Sequence, residues 1–453
     1  MAQFDFSKRD SFGSRLGVVA AAAGSAVGLG NIWRFPYVAG ENGGAAFLLI
    51  YLGFILAIGF PVMLAELTIG RRAQMNALGS FKKLAPGRPW YLVGLMGIGA
   101  AFMILAFYST IAGWTLEYLV QAISNGFDGK SSAELKVSFE QFQAAPFRPL
   151  IWQLIFMFLT AYIVYSGVKK GIEKYTKILM PVLVLLIIVM SIRSLTLPGA
   201  EGGVSFLFKP DFSKITWPVI LDALGQAAFS LSIGMGTLIT YGSYIQKDNN
   251  LPITALQVTA ADTVIAILAG IMIFPAVFAF NIDPAEGFGL VFIVLPNIFE
   301  QMPGGYFFSI LFFVLLSIAA LTSTISVLEV VVAYFSEELN MSRSKATILG
   351  AAGISIVGVF ATLSFGPLSD LQLLERTIFG WFDFLSANVL LPLGAIFIVI
   401  FVGWHLGKKN VLDEISSHGQ FRVRLINLFM IIVKFIAPLA IAAVFIYGLG
   451  IIK

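Results

Sequence analysis

The chain has 453 residues, of which 58% are hydrophobic and 12% charged, whereas a soluble domain carries about a quarter of its residues as charges. A net charge of +4 and two histidines, His405 and His418, give no basis for nucleic-acid binding or a histidine metal cluster, and the lack of cysteine excludes disulfides and thiolate sites. What remains is an all-α, polytopic membrane protein.

The N-terminus "MAQFDFSKRDSFGSR" is polar and basic and lacks a small-residue cleavage site after a short apolar core, so residues 1–13 read as a retained cytoplasmic tail. About 20 apolar residues cross a bilayer. Runs of that kind predict helices near 14–38, 42–70, 89–124, 150–167, 172–196, 216–245, 252–282, 303–337, 344–366, 376–406 and 425–451, eleven in all. With the N-terminus inside, the C-terminus lies outside. Lys8, Arg9, Arg15, Arg71, Arg72, Lys82, Lys83, Arg88, Lys169, Lys170, Lys174, Lys177, Lys408, Lys409, Arg422 and Arg424 then share the cytoplasmic side. The longest outside segments, 125–149 and 283–302, mix Gly, Pro and charge and are placed to cap an outer vestibule.

The predicted helix 1 contains "GSAVGLGNIWRFP", with Gly24, Gly28 and Gly30. Helix 6 contains "GQAAFSLSIGMGT", with Gly225, Gly234 and Gly236. Each interior glycine weakens a helix by roughly 1 kcal/mol relative to Ala. In one helix this reads as close packing through small residues. In the first and the sixth it marks matching positions of two five-helix repeats, 14–196 and 216–406, with helix 11 at 425–451 outside them. A break frees carbonyl oxygens, which replace a cation's hydration shell, and leaves a half-helix N-terminus, which attracts a carboxylate.

"GSAVGLGNIWRFPYVAGENGGAAFLLIY" resembles the signature of the neurotransmitter:sodium symporters, the LeuT-like transporters. "PVMLAELTIGR", "FSLSIGMGTLITYGSY", "AALTSTISVLE" and "FDFLSANVLL" extend the match over almost the whole chain. The resemblance implies one transporter domain, residues 1–453, with the LeuT fold: a 5+5 inverted repeat with discontinuous helices 1 and 6. It further implies a short bacterial member in the inner (cytoplasmic) membrane, functional as a monomer, that brings in apolar and aromatic L-amino acids with Na+.

Position by position, the resemblance implies two sodium sites. The first takes the Ala26 carbonyl, the Asn31 side chain, Ser230 and a helix 7 residue, aligned at Asp262 where relatives usually have asparagine. The second takes the carbonyls of Gly24, Val27 and Ala319 with the hydroxyls of Thr322 and Ser323. Hard cations favour such oxygens. Alone, Thr322 and Ser323 read as back-bonding to the preceding turn, and Asp262 as a solvated acid near a helix end. An acid within a span is a functional candidate. In place of the chloride that balances charge in some relatives, Asp262 predicts chloride-independent transport.

The substrate carboxylate is expected at the amides of Ala26 to Gly30, Leu29 included, and at the Tyr108 hydroxyl. Its ammonium is expected near Ala26, Phe229, Ser230 and Ser323, and its side chain near Ile104, Phe229, Ser232, Met235 and Val327. Met235 stands where some relatives have a bulky aromatic, and flexible Met fills irregular volume. Glu66 is expected to support the amides of both broken helices. Arg34 and Asp383 match the outer gate pair. Arg9, Glu337 and Tyr244 match the inner network, with Phe12 in place of the usual tryptophan. Gly171 and Pro181 match a helix 5 segment that unwinds, although a mild proline kink fits the residues equally. The other readings are a carrier for one amino acid such as tryptophan or tyrosine, an ion channel, and an amino-acid-sensing receptor. No nucleophile–base pair or cofactor loop suggests an enzyme.

Overall fold

A backbone in hydrocarbon must bond to itself, and helices do so locally. The computed structural model describes residues 9–282 and 289–451. Lys8, the start of the predicted tail and residues 283–288 of the second outside segment lie outside the described residues. Among the described residues, nine helices are long and apolar enough to cross a membrane: Ala45–Ala73, Tyr91–Ile123, Arg148–Tyr165, Val168–Leu195, Leu251–Ala279, Gly305–Glu338, Arg343–Leu363, Ile378–Ile415 and Ile426–Gly448. These are helices 2 to 5 and 7 to 11 of the sequence reading. Arg15–Ala26 and Gly30–Glu41, bent by 51°, make a tenth. Trp217–Ser230 and Thr237–Gly242, separated by residues 231–236, supply helix 6 and complete the expected eleven.

Helices 3, 4, 8 and 9 pack on one another as a scaffold, and helices 3 and 8 share the most extensive interface. The inner half of helix 6 lies along helix 2, and helix 1 lies against helices 7 and 8. Close packing through small residues is found at two glycines outside the breaks. A Cβ on Gly70 would run into the Ile239 carbonyl, and one on Gly242 would lie 2.8 Å from the Leu67 carbonyl, so these two let helices 2 and 6 approach closely.

The segments expected outside fold as helices. Ser132–Ala144 starts with a capping box of Ser131 and Glu134, and Leu290–Gln301 is a short apolar helix. Phe139 and Phe292 stack at 5.3 Å, and both meet the edge of Trp114 of helix 3, so the two segments pack together over the outer end of the scaffold. Hydrogen bonds to Ser131 hold the exposed Glu134 carboxyl below its ordinary range.

Candidate functional site

Helix 1 loses regular structure after Ala26 and resumes at Gly30. Gly28 is required there by close approach: a Cβ would collide with Ser323 Oγ and lie 3.2 Å from Tyr108 Oη. Helix 6 breaks through left-handed backbone at Ser232 (φ 55°), Gly234 (φ 88°) and Gly236 (φ 75°). Gly225 lies inside the outer half-helix and takes no part in the break. Ser232 Oγ donates to the Ser25 carbonyl at 3.1 Å, so the two breaks are tied to each other.

Between them lies a cavity of about 50 Å³, bounded also by helices 3 and 8. Of the expected substrate residues, Ala26, Gly30, Ile104, Tyr108, Phe229, Ser230, Ser232, Met235, Ser323 and Val327 line it. Leu29 does not: its side chain is buried elsewhere and only its N–H faces the site, donating to Tyr108 Oη at 3.1 Å. Ser25, Leu105 and Phe107 also line the cavity and were not expected. Helical spacing marks Phe107, one turn beyond Ile104, whereas Ser25 and Leu105 carry no local signal.

Asp262 is completely buried, which rules out the solvated reading. Asn31 Nδ2 donates to its Oδ1 at 2.7 Å, and Ser230 Oγ donates to its Oδ2 at 2.7 Å. Asn31 Nδ2 also lies 3.2 Å from Ser230 Oγ, and Asn31 Oδ1 accepts the Gly28 N–H at 3.2 Å. Helices 1, 6 and 7 therefore meet around one acid whose hydrogen-bonding neighbours are neutral. A second group of oxygens lies on the far side of the helix 1 break. Thr322 Oγ1 reaches the carbonyls of Ala319 at 3.0 Å and Val27 at 3.4 Å. Ser323 Oγ reaches Val27 O at 3.5 Å. Thr322 also bonds Ile318 O at 3.2 Å, so back-bonding and convergence on helix 1 coexist. Gly24 touches this group, since a Cβ there would lie 3.3 Å from Thr322 Cβ.

Glu66 is buried and accepts the Gly234 N–H at 2.7 Å through Oε1, while its Oε2 has no partner. The expected support of both breaks is thus corrected to helix 6 alone, because the amides of Gly28 and Leu29 are already taken by Asn31 and Tyr108.

The outer pair also departs from expectation. The Arg34 guanidinium lies 3.9 Å over the Phe229 ring, a cation–π contact. Among the described residues no ion pair within 4.0 Å joins it to Asp383. Asp383 instead stands in the field of two cations, Arg34 and Arg376, and Arg376 lies 4.2 Å over Phe384.

At the opposite, basic end the chain is latched. Arg9 pairs with Glu337 at 2.6 Å and donates to Ser243 O and Oγ at 3.0 and 2.8 Å. Glu337 also accepts the Asn76 N–H at 2.7 Å. Tyr244 bonds Glu329, not Arg9, while its ring lies 4.6 Å beneath the Arg9 guanidinium. Phe12 is buried edge-on against Tyr241 and Tyr244 at 5.6 and 6.0 Å, so the apolar anchor is tight without an indole. Lys247, beyond the inner half of helix 6, bonds Glu414 at 2.9 Å, and burial pulls its pKa below the ordinary lysine value against that pairing. Helix 5 is helical from Val168 to Leu195 with Pro181 inside it, so the segment from Gly171 is wound in this structure.

The family model described as the sodium:neurotransmitter symporter family matches residues 9–133 and 134–453. An uncharacterised sodium-dependent transporter of Bacillus subtilis, YhdH, is 43% identical over 97% of this chain and 98% of its own length. One from Haemophilus influenzae is 39% identical over 98% of each. The crystal structure of MhsT in complex with L-phenylalanine superposes with a TM-score of 0.90 at 51% identity, covering 97% of this chain and all of that one.

Proposed function

The chain belongs to the sodium:neurotransmitter symporter family, and from that premise we propose that it carries apolar and aromatic L-amino acids into the cell with two sodium ions and without chloride. The observation that carries this reading is the cavity between the two helix breaks, with the buried Asp262, Asn31 and Ser230 at its side.

The first ion is held by the Ala26 carbonyl, Asn31, Ser230 and Asp262, and the Asp262 charge takes the place of chloride. Asn31 turns its amide oxygen toward the ion, which replaces the Nδ2 bonds to Asp262 and Ser230 and frees the Gly28 N–H to join the amides that face the substrate carboxylate. The second ion lies among the carbonyls of Gly24, Val27 and Ala319 and the hydroxyls of Thr322 and Ser323. All these ligands are hard oxygens, as an alkali cation requires. The substrate carboxylate lies between the first ion, the amides at Leu29 and Gly30, and the Tyr108 hydroxyl, which gives up the Leu29 amide to donate to it. Ion and substrate then share ligands, and that coupling lets the sodium gradient drive accumulation.

The side-chain end of the cavity, formed by Ile104, Phe107, Met235 and Val327, is apolar. MhsT is described with L-phenylalanine, which supports an aromatic ligand here too. The free space is about 50 Å³, and the flexible Met235 on its wall adapts to side chains of different size, which favours several substrates over one.

Alternating access uses the two ends. The Arg9–Glu337 latch closes the cytoplasmic end, where the basic residues gather, and this orientation places the C-terminus outside. Arg34 leaves Phe229 to meet Asp383 when the outer gate shuts over substrate. Such a pair contributes about 0–1 kcal/mol, weak enough to reopen each cycle. Glu66 holds the helix 6 break, and the Gly171 to Pro181 segment unwinds to hydrate the second ion. The two repeats are 14–196 and 216–406, and the monomer is the working unit.

Binding of labelled leucine and tryptophan to the purified protein, with competition by all standard amino acids, tests this reading. Saturable binding that needs sodium and is displaced by apolar and aromatic amino acids is expected. Displacement by one amino acid only would support the narrow carrier.

A further inference from the structure

Between helices 10 and 11, residues 416–425 run as turns and irregular backbone at the basic end of the bundle. Beside them a groove of about 390 Å³ opens between helix 2, the start of helix 7 and helix 11. Its floor is apolar, with Leu64, Ile426 and Phe429 buried. Its outer wall continues into Ile253 and Leu425, apolar side chains that are 52% and 69% exposed. Its rim carries Arg422 and Arg424, both exposed.

These two arginines differ from the paired cations packed around the neighbouring end of helix 10. Arg71, Arg72 and Lys247 are bound to Glu414 or Asp413, and His418 also bonds Asp413. No Asp or Glu lines the groove, and among the described residues neither Arg422 nor Arg424 has an ion-pair partner. Two free guanidiniums above an apolar floor match a molecule that is anionic at one end and hydrocarbon at the other. A guanidinium fork fits phosphate oxygens, and basic pockets between helices on the cytoplasmic side suit anionic headgroups. A zwitterionic headgroup brings its own ammonium toward the same arginines and gains less.

We propose that this groove binds one anionic phospholipid of the adjacent leaflet, its phosphate held by Arg422 and Arg424 and its acyl chains lying along Phe60 and Phe429. The inference needs a bilayer but none of the proposed substrate chemistry.

The test titrates the detergent-purified full chain with phosphatidylglycerol or phosphatidylcholine of identical acyl chains and counts bound lipid by native mass spectrometry. One retained phosphatidylglycerol is expected, with phosphatidylcholine held at least tenfold more weakly. Each arginine near an anionic surface is worth about a fivefold factor, so R422Q/R424Q should bind phosphatidylglycerol about 25-fold more weakly, and R422K/R424K should keep most of the affinity. Ile253→Trp, which narrows the groove and leaves both arginines, should also weaken lipid retention and covers the case in which the double variant fails to fold. Equal retention of phosphatidylglycerol by wild type and folded R422Q/R424Q would overturn the proposal. So would equal binding of phosphatidylcholine, or displacement by glycerol phosphate alone, which would assign the site to a free phosphate.

Discussion

Replacing Asp262 by asparagine tests the proposed first ion centre. The carboxylate is fully buried and its two hydrogen-bonding neighbours, Asn31 and Ser230, are neutral. The substitution preserves shape and an oxygen but removes the charge. At about 3 Å and an effective dielectric of about 20, a carboxylate attracts a sodium ion by about 5 kcal/mol. Much of this is returned, because a neutral amide is far less costly to bury than an unpaired charge. A net loss of about 1.4–2.8 kcal/mol corresponds to a 10- to 100-fold weaker apparent sodium affinity. The assay is uptake of labelled leucine into proteoliposomes across a sodium series, in chloride and again in gluconate. Wild-type uptake should be the same in both anions. D262N should need far more sodium in gluconate and recover part of its affinity in chloride, which can supply the missing charge. A wild type that fails in gluconate would overturn this account, as would a D262N variant with unchanged sodium dependence there.

Arg9→Ala removes a largely buried ion pair to Glu337, and breaking such a pair costs about 3–5 kcal/mol. Because the chain has no native cysteine, Met75→Cys is a clean reporter in the cavity of about 450 Å³ that Met75 lines with Arg9 and Tyr244 at the basic end, and its labelling by a water-soluble thiol reagent should accelerate at least tenfold in R9A. Gly28→Ala drives a methyl group into Ser323 Oγ, so sodium-dependent substrate binding should disappear while the protein still purifies as a folded monomer; normal binding would show that the break can yield. Pro181→Ala restores a hydrogen bond within a helix that is wound in this structure, and should slow sodium release in single-turnover experiments. Unchanged release would reduce Pro181 to a kink.

The helix breaks were legible because they violate a local rule. Glycines, a serine and an asparagine within a span are costly in lipid wherever the rest of the chain lies. Asp262 was legible for the same reason, and the motif alignment selected most of the cavity-lining residues. Phe107 was missed although it lies one turn beyond Ile104, whereas Leu105 and Ser25 line the cavity only through the way helices 3 and 1 pack around it. The partner of Glu66 was misjudged because competition for the helix 1 amides comes from Tyr108, 79 positions away from Leu29.

The sequence alone determined the order of the long apolar helices among the described residues and which two helices break. Those properties follow from the backbone's need to satisfy itself without water. Only the tertiary structure decided that Arg34 rests on Phe229 and not on Asp383, that Tyr244 bonds Glu329, and that Arg422 and Arg424 are left without carboxylates. In each case several partners of suitable charge exist in the sequence. The choice among them is made by the packing of helices far apart in the chain.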